Sequence, residues 1–65
     1  MRSLNIEVST SPQEFKEQMQ RLYDRNWKDP EMFHIYADDL ICMLLEKLGY
    51  KEAVHIFDTA EKWYS

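Results

Sequence analysis

Asp29-Pro30-Glu31-Met32-Phe33-His34-Ile35-Tyr36-Ala37-Asp38-Asp39-Leu40-Ile41-Cys42-Met43-Leu44-Leu45-Glu46-Lys47-Leu48-Gly49 reads as one helix, over about 30–48, with a signal at each end. Asp29 is a good N-cap, and Pro30 suits the first turn, where its missing N–H has no partner to lose. Gly49 stands where a left-handed residue ends a helix, and Tyr50 after it can fold back on the last turn. At about 100° per residue, Met32, Met43, Tyr36, Leu40, Phe33, Leu44, Ala37, Leu48 and Ile41 fill one continuous arc. That arc covers roughly half the circumference, wider than the ~100° stripe of a helix packed on one neighbour. The opposite arc carries Glu31, His34, Asp38, Asp39, Cys42 and Glu46. A helix this apolar must touch two elements, or one element and a second copy of itself, so it is expected to form the core.

Working outward, Ser11-Pro12-Gln13-Glu14 starts an earlier helix over about 12–27, with Ser11 as cap and Glu14 completing a capping box. Phe15, Met19, Leu22, Tyr23 and Trp27 follow at helical spacing on its inner face, and the short connection sets the two helices antiparallel. A third helix is predicted over 51–63, with Ala53, Val54, Ile56, Phe57, Ala60, Trp63 and Tyr64 on its apolar side. Residues 3–9 alternate apolar and polar, a strand signal with no second strand in the chain. Residues 1–10 are therefore expected to form an extended arm, lying along a helical groove or pairing with a strand of another chain. The fold class is all-α: a single three-helix domain over 1–65 with an N-terminal arm, the central helix packed on both others.

At 65 residues, one core gives only marginal stability, and the usual remedies are disulfides, a structural metal or oligomerisation. Cys42 is the only cysteine, so no bridge forms within the chain, and a lone thiol suits a reducing cytoplasm. A homodimer is expected instead. No apolar run approaches the ~18 residues that span a bilayer, and Met1-Arg2-Ser3-Leu4 does not open a secretory signal. The expectation is a soluble cytoplasmic protein without a membrane partner. Net charge is −4 and the basic residues are interleaved with carboxylates, so no face is equipped to neutralise phosphates. Nucleic acid is not an expected partner; the charge favours a protein, one with a basic surface.

Particular residues bear on three chemistries. His34, Asp38 and Cys42 lie in one row four residues apart with Asp39 nearby, which is ligand chemistry for a divalent metal and, with it, for a metal-dependent hydrolase. The same residues read more simply as the solvated face of an amphipathic helix, and that reading is preferred: no metal, no cofactor, no catalysis. Cys42 is expected to be an exposed, inert thiol, since the carboxylates of Asp38 and Glu46 disfavour a thiolate. Leu48-Gly49-Tyr50 also fits the turn of a helix-turn-helix regulator. There, however, His55 takes an aliphatic core position, and Glu52, Asp58 and Glu61 would face phosphate.

His34-Ile35-Tyr36-Ala37-Asp38-Asp39-Leu40-Ile41-Cys42, then Leu44-Leu45, Leu48-Gly49-Tyr50 and Lys62-Trp63-Tyr64, resemble a type of small protein found in bacteriophages and prophages. The resemblance covers about 31–65 and implies an origin, not an activity. It makes His34, Ala37 and Asp38 the first positions to test. It also favours a non-catalytic module that binds and modulates a host protein. Trp63 and Tyr64, each able to bury on the order of 150–250 Å², are expected contact residues, capping the bundle or meeting a partner. Phe57, Met43 and Tyr36 are expected to join them, methionine being an adaptable contact side chain.

Overall fold

Local signals start and stop each helix. A computed structural model describes Leu4 and residues 6–60; the expectations for Trp63, Tyr64 and most of residues 1–5 fall outside the described residues. Helix α1 (Pro12–Asn26) is capped by Ser11, whose hydroxyl accepts from the Glu14 N–H. The return half of the box is replaced. The Ser9 hydroxyl donates to Glu14 Oε1 at 2.7 Å and accepts from the Ser11 N–H at 3.0 Å, standing between the two ends. Helix α2 (Pro30–Lys47) is capped by Asp29, which accepts from the Met32 N–H at 3.2 Å. It ends with the Tyr50 N–H on the Leu45 carbonyl and the Gly49 N–H on the Glu46 carbonyl. This pairing turns on a left-handed residue, which Gly49 supplies at φ 100°.

Helix α3 (Lys51–Thr59) has no side-chain N-cap and stops short of the predicted residue 63. Thr59 donates its hydroxyl to the His55 carbonyl at 2.9 Å, and Ala60 is extended at ψ 150°. The carbonyl four residues before Thr59 is thereby engaged by the Thr59 side chain, a bond that competes with the helical ladder.

The described residues are all-helical, with three helices and no strand. Helix α2 packs on α1 along one flank and on α3 along another, while α1 and α3 do not pack on each other. The result is an open layer, 32 × 31 × 17 Å, rather than a closed bundle. Its core is Val8, Leu22 and Leu40, with Leu4, Phe15, Met19, Phe33, Tyr36, Met43 and Leu44 packed around them. The segment before α1 is held by side chains acting as a neighbouring strand would. Gln18 accepts from the Ser9 N–H at 3.0 Å and donates to the Glu7 carbonyl at 2.8 Å, and Lys47 donates to the Val8 carbonyl.

Three expectations for α2 are corrected. Cys42, read as exposed, is buried, because α3 lies on its flank. Asp39, placed on the solvated arc, is also buried, and no buried polar side-chain atom among the described residues lacks a hydrogen-bond partner. Ile41 and Leu48, placed on the core arc, are exposed. Helical spacing gives each an angle on α2, but the two neighbours take angles on either side of this stripe and leave it open.

Candidate interaction surface

Between α2 and α3 lies a groove of about 320 Å³, lined by Asp38, Ile41, Cys42, Leu45, Ala53, Val54 and Phe57. Cys42 and Val54 are buried at its base, while Ile41 and Phe57 are each 43% exposed. Asp38 contributes the one carboxylate of the lining; the remainder is apolar apart from the thiol. Two further apolar side chains stand beside it. Leu48 is seven residues along α2 from Ile41, hence on the same stripe, and Ile56 is three residues along α3 from Ala53 and 71% exposed. Only Val54 of α3 is buried.

A second cluster sits at the end of α1. Tyr23 and Trp27 are exposed, although both were assigned to the inner face of α1. Trp27 is the C-cap residue, past the last helical turn. Tyr23 meets Phe33 edge-on at 5.6 Å, the Phe33 ring meets His34 at 5.6 Å, and the Lys28 ammonium stands 5.3 Å over the Trp27 ring. Trp and Tyr are among the residue types enriched in contact hot spots.

A more polar concavity of about 430 Å³ runs beside the N-terminal segment. Ser9, Glu14, Gln18 and Lys47, which line it, already hold that segment in place. It is a seam of the fold.

The expected contact residues divide. Phe57 lies on the α2/α3 groove, whereas Tyr36 and Met43 are half-buried against the core, where α1 meets α2. The residues considered as metal ligands do not form one site: His34 is exposed on the Phe33 side, Asp38 and Cys42 line the α2/α3 groove, and Asp39 is buried. Among the described residues, no three His, Cys, Asp or Glu side chains are grouped to hold a metal ion. No described helix is long and apolar enough to cross a membrane. The α2 arc did not mark the groove: of its α2 lining only Ile41 lies on that arc, while Asp38 and Cys42 fall on the arc expected to face solvent. Nothing in the spacing marked Tyr23 and Trp27 as exposed.

No protein-family model matches the chain, and no curated protein or solved structure matches it.

Proposed function

We propose that the protein is a small, non-catalytic protein–protein interaction module of phage or prophage origin. In this reading it works as a homodimer in the host cytoplasm and binds and modulates a host protein. The observation that carries the reading is the set of large apolar side chains left in water on a chain with a small core. Ile41, Leu48, Ile56 and Phe57 are exposed around the α2/α3 groove, and Tyr23 and Trp27 at the end of α1. Single exposed apolar residues are ordinary, but grouped ones mark contact surfaces. The aromatic pair of α1 supplies rigid anchors of the kind that dominate binding energy. Trp63 and Tyr64 belong to the same proposal as further contact residues.

The test is affinity capture from host cytoplasm with the tagged full chain, read by mass spectrometry, beside Trp27→Ala and Trp63→Ala. A host protein recovered at near-stoichiometric yield, and lost with one of the two substitutions, is the expected result. Recovery of the same background proteins by all three chains would sink the reading.

A further inference from the structure

We propose that the α2/α3 groove is the self-association surface of this module, covered by the same groove of a second copy across a two-fold axis. The proposal rests on the interaction-module reading and specifies which surface is used for what.

An isologous contact requires that one face carry both a recess and the protrusions that fill it. Here the recess is the groove over Val54 and Cys42, and the protrusions are Leu48 and Ile56 beside it. Charge points the same way. Two copies of a chain with net charge −4 repel unless they meet on a face with few charges. The groove lining carries one carboxylate, Asp38, and no lysine or arginine. The cores of protein interfaces show the same depletion.

Helix α3 also needs more cover than its own chain's described residues give it. It has nine residues, no side-chain N-cap and one buried side chain, Val54, and a helix that short does not persist without packing. A second copy would cover Ile56 and hold α3 on α2. The Tyr23–Trp27 surface, on the α1 side of the layer, then stays open to the host protein.

The test is sedimentation velocity on the untagged full chain over a wide concentration range, with Ile56→Glu, Phe57→Glu and Trp27→Ala beside it. Ile56 is exposed in the single chain, so Ile56→Glu leaves the fold of a monomer intact, which circular dichroism verifies. The expected result is a wild-type dimer, dimeric Trp27→Ala, and an Ile56→Glu dissociation constant raised on the order of 100-fold, since the two-fold axis counts the change twice. A wild-type chain that stays monomeric at the highest concentration overturns the proposal. If that monomer still captures a host protein and Phe57→Glu loses it, the groove takes the partner and the module reading stands. If it captures nothing, both fall. A monomer destabilised by Trp63→Ala assigns the groove to the chain's own residues 61–65. A dimer left unchanged by both glutamates places the contact elsewhere, and that also overturns the proposal.

Discussion

The Lys47 ammonium donates a 2.9 Å hydrogen bond to the carbonyl of Val8, joining the last turn of α2 to the segment before α1 across 39 positions. The Glu7 carboxylate lies 3.6 Å from the same ammonium, but its side chain is 90% exposed, so solvent screens the pair. Lys47→Met should therefore destabilise the protein by about 1–2 kcal/mol, through a part-buried carbonyl left without its donor. Glu7→Gln should change stability by less than about 0.5 kcal/mol. Thermal denaturation of both variants decides the matter, and equal losses would mean that the ion pair, not the carbonyl contact, holds the segment.

Gln18 supplies both a donor and an acceptor to the backbone on either side of Val8. Gln18→Ala should cost about 1–2 kcal/mol and speed hydrogen exchange at the Ser9 amide, which donates to it. Unchanged Ser9 exchange would show that this clamp is not formed in solution.

Gly49 closes α2 at φ 100°, and a Cβ built there meets nothing within 4 Å. The cost of Gly49→Ala is then backbone strain alone, about 1–2 kcal/mol, with Gly49→Asn losing less because Asn tolerates the left-handed region. Urea denaturation of the two variants should rank them in that order; a neutral alanine would contradict the turn geometry.

Leu40 and Ile41 are adjacent and should behave oppositely. Leu40 is wholly buried, and Leu40→Ala should lose about 2–5 kcal/mol, a large fraction of what a domain this small has. Ile41→Ala in a dilute monomer should stay within about 0.5 kcal/mol, its effect appearing in association. A comparable loss for both in dilute denaturation would place Ile41 in the core.

What was legible in the sequence was what local chemistry writes. Asp29, Pro30 and Gly49 delimit α2, and Ser11 and Pro12 start α1, because caps and turns depend on residues within a few positions. The burial of Cys42 and Asp39, and the exposure of Ile41, were not legible. An angle around a helix does not say which angles the neighbours occupy, and α1 and α3 here sit apart on α2 instead of closing a bundle. The role of Ser9 was hidden for a similar reason: a serine outside a helix gives no sign that it will stand between a cap and its partner. Of the expected contact residues, Phe57 is 43% exposed, while Tyr36 and Met43 are half-buried against the core at the α1 contact.

Val8 has a consequence for the order of events in folding. Its carbonyl waits for Lys47, so the earliest-synthesised core residue cannot reach its place until nearly all of α2 has left the ribosome. The α1–α2 pair can form from near neighbours in the chain, a fast process. Once that pair has formed, the first turns of α1 lie beside the end of α2, so seating residues 6–10 orders a short segment onto a surface already built, held by Gln18 and Lys47. A contact that spans 39 positions in the chain is thereby made at little loop-closure cost.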